Sequence, residues 1–343
     1  MDLRYPRSSG ARVLIVATAL ALSAIAAQTQ SNSRPVAAHA GTITKPSKIP
    51  RTHDGRPDLQ GVWNFATVTP LERPAAFAGK QILTDEEIAA VEKQAAENTL
   101  DRPPAPGNPG AYNEFWRDDG TTVVPTRQSS LIVDPPDGKL PPVTPEARRR
   151  MAAEAETLRQ PPSGPEDRHL AERCILGFNA GPPMVSGPYN NMVQLFQTRE
   201  YLVILNEMNH DARIVPIDGR PHGTLRQWMG DSRGHWEGET LVVDSINFRN
   251  EGTGRLPRLL SPAFDENLHL IERFTRTDAN VLLYEFTVSD PTTWRKPWTA
   301  RIPMIKTDAL VYEFACHEGN YGMTNMLSGA RAEEGAVKAT KKN

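Results

Sequence analysis

The chain has 343 residues, with 39 Lys and Arg against 41 Asp and Glu and a formal net charge of −2. That near-balance, without a block of clustered Lys and Arg, excludes nucleic acid as a partner, because phosphate binding needs concentrated positive charge. There are 2 cysteines, which leaves either a single bridge or two buried thiols.

Taken from the start, Arg4, Arg7 and Arg12 lead into the apolar run Val13–Ala27, with small residues at Ala24 and Ala26. These are the parts of a secretory signal peptide over residues 1–26. An uncleaved anchor is the alternative, but the run is shorter than the roughly 20 apolar residues that a spanning helix needs. No later stretch is apolar enough to span a membrane. Cleavage removes the three arginines and Asp2 and moves the net charge from −2 to about −4. The expected address is the periplasm or the extracellular space. Residues 27–50 lack an apolar period and are expected to be a flexible leader.

One β-rich domain is expected over residues 51–333, with a disordered tail over 334–343. Thr84-Asp-Glu-Glu87 has capping-box spacing and predicts a helix through Ile88, Val91 and Ala95. Thr144-Pro145-Glu146 places a capping residue before a proline at the first helical position and predicts a helix over Ala147–Arg159. Sixteen of the 30 prolines fall in residues 101–190. Proline removes backbone donors and ends regular elements, so this region is expected to be an extended layer laid over something else. A short strand is expected within it at Leu131–Asp134.

Beyond residue 190 come nine segments rich in β-branched, aromatic and aliphatic residues. They are Val193–Gln197, Tyr201–Glu207, Ala212–Ile217, Leu225–Met229, Thr240–Ile246, Leu268–Thr275, Val281–Val288, Thr299–Ile305 and Leu310–Cys316. Turn residues separate them, Gly219, Gly234 and Asn280 among them. The pattern predicts a mainly β fold, an antiparallel β-barrel or strongly curved sheet with a Pro-rich N-terminal layer and a few short helices. An internal echo supports it. Arg276-Thr-Asp-Ala-Asn-Val-Leu-Leu-Tyr-Glu-Phe286 is matched by Lys306-Thr-Asp-Ala-Leu-Val-Tyr-Glu-Phe314, each reading as a polar turn that feeds a strand.

Alternation assigns faces, because successive side chains in a strand point to opposite sides. Leu282, Tyr284 and Phe286 share one side, and Leu268, Leu270, Glu272 and Phe274 share another. The opposite sides carry His269, Arg273, Glu285, Glu313 and His317. Carboxylates beside imidazoles exchange protons near neutral pH, and Arg273 can hold an anionic group. The plainer alternative is a solvated face with ion pairs, each worth under about 1 kcal/mol.

A second candidate is Asn206-Glu207-Met-Asn-His210-Asp211-Ala-Arg213, at a strand end. Here Glu207 and His210 form an acid–base pair, with Asp211 and Arg213 as substrate-binding groups. The same residues, with His222, Asp231 and His235, include metal-ligand types, but their spacing matches no metal motif. No cofactor is expected, and a divalent metal is the alternative. Turn chemistry, with Asn and Asp capping backbone donors, is the plainer reading. The third candidate is Cys316-His317-Glu318-Gly319-Asn320-Tyr321. In an oxidising compartment Cys174 pairs naturally with Cys316, which closes a long loop worth about 4 to 5 kcal/mol in the chain-entropy model and holds His317 beside the bridge.

Gly-x-Ser-x-Gly, a phosphate-cradling glycine loop, His-Glu-x-x-His and Cys-x-x-Cys-His are all missing, which removes support for serine-hydrolase, nucleotide, zincin and haem c readings.

Several stretches together resemble a large family of exported bacterial proteins of unassigned function. They are Asp54-Gly-x-Pro57-Asp-Leu-x-Gly61-x-Trp63, Ser130-Leu-Ile-Val-Asp-Pro-Pro-Asp-Gly138, Gly187-Pro-Tyr-Asn190, Trp236-Glu-Gly-x-Thr-Leu-Val-Val-Asp244, Glu272-Arg-Phe-Thr275, Cys316-His-Glu-Gly-Asn-Tyr321 and Gly329-Ala-Arg331. The likeness covers nearly all of residues 51–333 and carries over no catalytic role. Gly61-Val-Trp63 is also similar to the start of lipocalin-type barrels, which implies a cup around an apolar ligand. Fold alone does not assign function. The expectation is an exported enzyme acting on a small organic molecule by general acid–base chemistry, as a lyase, isomerase, cyclase or hydrolase. The alternatives are a non-catalytic small-molecule-binding barrel and a metal-dependent enzyme built on the His210 region.

Overall fold

The computed structural model describes residues 48–100, 117–118, 120–249 and 266–340. The signal peptide, most of the leader and part of the Pro-rich stretch lie outside these residues.

Among the described residues ten antiparallel strands form one sheet: β1 (Gly61–Asn64), β2 (Ile132–Asp134), β3 (Met192–Gln197), β4 (Tyr201–Asn206), β5 (Ala212–Pro216), β6 (Asp231–Glu237), β7 (Thr240–Ile246), β8 (His269–Asp278), β9 (Val281–Ser289) and β10 (Trp298–Thr307). The order is β5-β4-β3-β1-β10-β9-β8-β7-β6, with β2 pairing a further stretch of β10. Neighbours in sequence are mostly neighbours in space, as in an up-and-down meander. The exception is β1, which inserts between β3 and β10 and so joins the two ends of the meander.

The sheet curls without closing. Its two edge strands, β5 and β6, share no ladder but lie side by side. Gly234 on β6 makes this possible, since a Cβ there would stand 2.3 Å from Ile217 Cγ2 and 3.3 Å from Val215 Cγ1. Gly234 is therefore a mid-strand contact and not the turn residue expected from the sequence.

The predicted faces hold along β8 and β9. Leu270, Glu272 and Phe274 and then Leu282, Tyr284, Phe286 and Val288 are fully buried. Trp63, Trp298, Ile302 and Met304 join them in one core. Aromatic rings fill this inner face: Phe274, Tyr284, Phe286 and Trp298 form a chain with centroid spacings of 5.1, 5.6 and 5.7 Å. Along these strands the interior is thus packed side chain, unlike the ligand cup that the lipocalin likeness implies.

The N-terminal layer forms as its capping signals predict. Helix α1 (Asp85–Asn98) has both halves of its capping box, Thr84 Oγ1 accepting from Glu87 N and Glu87 Oε2 accepting from Thr84 N at 2.8 Å. Helix α2 (Pro145–Arg159) starts with Thr144 Oγ1 accepting from Ala147 N at 3.0 Å. The Cys174–Cys316 disulfide is present.

Three expectations are corrected. Leu225–Met229 is not a strand. Gln227 makes an isolated parallel bridge to Phe248, and Leu225 is 77% exposed, so the segment has no apolar face to bury. Leu310–Cys316 is not a strand either. At the end of β10, Ile305 faces Val281, where β9 begins, and Thr307 faces Val62 on the short β1. The chain runs past its last partners and continues as an exposed strap, so the second copy of the echo makes no hairpin. The tail at 334–343 is helical as far as it is described, because α3 (Tyr321–Thr340) continues through it. The Ala-, Met- and Glu-rich run favours helix, and Arg331 ties it to the carbonyls of Pro162 and Ser163. No described helix is long and apolar enough to cross a membrane.

Candidate active site at the β4–β5 turn

Between Asn206 at the end of β4 and Ala212 at the start of β5, the chain makes a tight 3₁₀ turn, Met208–His210. Asn209 (φ 56) and His210 (φ 44) are both left-handed. Asn and His are among the side chains that adopt this conformation most readily, yet two in succession cost local strain that the surroundings must hold in place. Met208 is the anchor. It is 1% exposed and lies so close to Gly177 that a Cβ there would be 2.2 Å from Met208 Cγ. The backbone bonds Asn206 N→Asp211 O (2.8 Å) and Glu207 N→Met192 O (3.0 Å) close the loop.

Three other segments converge on this turn. Gly177, just after Cys174, donates its N–H to Asp211 Oδ2 at 3.1 Å. Tyr312, on the strap before Cys316, donates its N–H to Glu207 Oε1 at 3.3 Å. Asn190 donates from its side chain to the Glu207 carboxylate. The loop that presents Asn190 is held from within. Asn179 Nδ2 donates to the carbonyls of Tyr189 and Asn190 (both 2.9 Å), and Asn191 Oδ1 accepts from Gly187 N at 2.7 Å.

Both carboxyls are pushed upward. Burial raises Asp211 from 3.8 to about 6, against the opposing pulls of the Gly177 N–H and His210. Burial also raises Glu207, reinforced by the nearby charge of Asp118 and opposed by the bonds from Tyr312 and Asn190. Desolvation favours the neutral acid in each case. Among the described residues, three buried amide atoms of this turn and of the loop that Asn179 braces have no hydrogen-bond partner: Asn179 Oδ1, Asn206 Oδ1 and Asn209 Nδ2. Native interiors satisfy nearly all such atoms, usually through protein groups or an ordered water. Asp211, raised to about 6, and Glu207, raised above its ordinary value by burial, are groups that can pass a proton to and from a polar molecule bound at the turn.

The structure distributes the other predicted residues differently. His210 is exposed and faces Asp211 electrostatically, so the close acid–base neighbours are His210 and Asp211 rather than Glu207 and His210. Arg213 points into the core. Its guanidinium forms a two-pronged ion pair with Glu272, whose Oε1 also accepts from Tyr284 OH at 2.7 Å. Its guanidinium is thus engaged in the core rather than with Asp211, whose carboxyl accepts from Gly177. His269, Arg273 and Glu285 do share the outer face of β8 and β9, but each has its own partner: Asp244 for His269, Glu237 for Arg273 and Arg301 for Glu285. Glu313 and His317 lie exposed on the strap and do not join that face, because the strand expected to carry them does not form. His222 and Asp231 bond to each other at 3.3 Å, and His222 reaches Asp244, while His235 pairs with Glu237. Among the described residues, no group of three or more His, Cys, Asp or Glu side chains is arranged to hold a metal.

Sequence reasoning missed Glu272, Tyr284, Asn179 and Arg73. The signal for Glu272 was a lone charge on an otherwise apolar strand face. Arg73 and Glu285 both line a cleft of about 540 Å³ between the N-terminal layer and the outer face of β9 and β10.

No family model, curated protein or solved structure matches the chain.

Proposed function

We propose that this chain is an exported enzyme that acts on a small organic molecule by general acid–base chemistry at the β4–β5 turn. Asp211 is the group that gains and loses the proton, and Glu207, whose carboxyl burial also raises, is the second group, which holds the ligand. The observation that carries this reading is the upward shift of both carboxyls in one turn, Asp211 to about 6, beside unpartnered buried amides. A general acid or base works best when its pKa lies near the operating pH. Export is part of the proposal and is supported by the signal-like N-terminus and the disulfide. Membership of the family of exported bacterial proteins that the sequence resembles is likewise part of it.

The test is a screen of the protein lacking residues 1–26 against esters, lactones, glycosides and carbonyl compounds with acidic α-protons. An activity should emerge that falls at least about 100-fold in Asp211→Asn, the usual scale for a positioned acid–base group, while the fold is retained. An activity unchanged in both Asp211→Asn and Glu207→Gln would contradict the assignment. A non-catalytic binding protein is the second reading, favoured by the open amides of Asn206 and Asn209. It predicts ligand affinity without turnover, and affinity that survives Asp211→Asn.

A further inference from the structure

The cleft under the N-terminal layer holds a buried cation, Arg73, that among the described residues is bonded to no carboxylate. Arg73 is 4% exposed. Its Nε donates to Ser129 Oγ at 2.9 Å and its Nη1 to Pro136 O at 3.0 Å. Both acceptors are neutral, and among the described residues neither a carboxylate nor any partner for Nη2 is present. A buried guanidinium is ordinarily paired, since removing its charge from water is costly. Arg213 shows the ordinary case in the same molecule, paired with Glu272.

The surroundings hold Arg73 in this state. Gly138 (φ +69) packs against it so tightly that a Cβ there would be 3.0 Å from Arg73 Cζ and 2.4 Å from Ser130 Oγ. Both Gly138 and Ser130 belong to the Ser130–Gly138 stretch, which the β4–β5 site does not use. Across the cleft, Arg301 is already neutralised by Glu285, through Nε at 2.9 Å and Nη2 at 2.6 Å. Gln128 is fixed by donating to the carbonyls of Ser130 and Arg301, both at 2.9 Å. The remaining wall combines apolar Ile82, Ile132 and Val133 with Asp134.

We propose that this cleft binds a small organic monocarboxylate, its carboxylate on Arg73 and its apolar body against Ile82 and Val133. The placement of charge favours this class. Glu285 and Arg301 are bonded to each other, Arg73 is bonded to neutral acceptors alone and is the group that meets an anion, and the carboxylate of Asp134 in the same lining repels a second anionic group, which disfavours phosphate and dicarboxylates.

The experiment is an amide NMR titration of the protein lacking residues 1–26. The probes are hexanoate and benzoate, their neutral amides, and inorganic phosphate. The carboxylates should shift resonances of residues 128–134 and 299–301 and bind at least about tenfold tighter than the amides, the scale of one charge-assisted hydrogen bond. Arg73→Met should abolish the shifts. Because Arg73 also braces the layer, Ile82→Asp is the second variant. That side chain is 55% exposed, so the change places a repelling charge at the cleft with little cost to folding. It should weaken carboxylate binding, whereas Ile82→Asn should not. Equal affinity for amides or phosphate, shifts confined to residues 206–213, no binding at millimolar probe, or binding undiminished in folded Ile82→Asp would each overturn the proposal. None of these outcomes depends on the β4–β5 site being catalytic.

Discussion

Cys174 and Cys316 are bonded across a sequence separation of 142, and each lies next to the segment that touches one of the two raised carboxyls. Gly177, following Cys174, donates to Asp211, and Tyr312, preceding Cys316, donates to Glu207. The bridge thus joins the two segments that meet the turn from opposite sides. Asn320 Nδ2, 3.3 Å from Cys174 Sγ, adds a further tie between them.

Replacing both cysteines by Ala should lower stability by up to about 4 to 5 kcal/mol, the chain-entropy value for so long a loop. It should also raise amide exchange over residues 308–320, since the strap has no ladder to hold it. Hydrogen exchange by mass spectrometry checks the second point independently of the first.

Asp211 carries a stability cost that its pKa makes measurable. Its folded-state value of about 6 lies above the ordinary 3.8, so the folded protein holds the extra proton between those limits. Stability is therefore full below about pH 4 and falls as the pH rises through 6. Asp211→Asn should remove this loss, being more stable than the parent at pH 8 by on the order of 1 to 3 kcal/mol, with the gap closing toward pH 4. Urea denaturation at pH 4, 6 and 8 measures it. A catalytic group retained at a cost in stability is the expected signature of a functional residue.

The core ion pair should behave asymmetrically. Glu272→Gln strips the charge from a fully buried partner of Arg213 and should cost about 3 to 5 kcal/mol. Replacing the whole group, with Arg213→Met, Glu272→Leu and Tyr284→Phe, should cost much less, because no buried charge is then left alone. Equilibrium unfolding of the two variants decides the point.

Gly234→Val should force β5 away from β6, because the added side chain meets Ile217. Overpacking of this kind costs about 1 to 3 kcal/mol. The loss should come with faster exchange along the β5 edge, where the curled sheet is held by packing alone.

Much of the sheet was legible in the sequence because alternation writes it there. The faces of β8 and β9 follow from Leu270 and Phe274 against Ile271 and Arg273, and the helix starts follow from Thr84 and Thr144. What failed depended on partners far along the chain. Leu310–Cys316 has the composition of a strand, yet β9 and β1 end before reaching it. Gly234 resembles a turn residue until β5 is packed against it. The turn at 206–213 was visible as a cluster of functional groups, but its pairing was not. Whether Glu207 meets His210 or Tyr312 depends on where the strap lands, and the disulfide governs that. Arg73 gave no local signal, since only the fold reveals that its charge is buried against neutral acceptors.

Side-chain carboxyl NMR, recorded from pH 3 to pH 9 on the protein lacking residues 1–26, tests the active-site assignment most directly. The account predicts one carboxyl with a midpoint near 6 that vanishes in Asp211→Asn. It predicts a second above the ordinary glutamate range that vanishes in Glu207→Gln. Ordinary or lowered midpoints for both groups would contradict it.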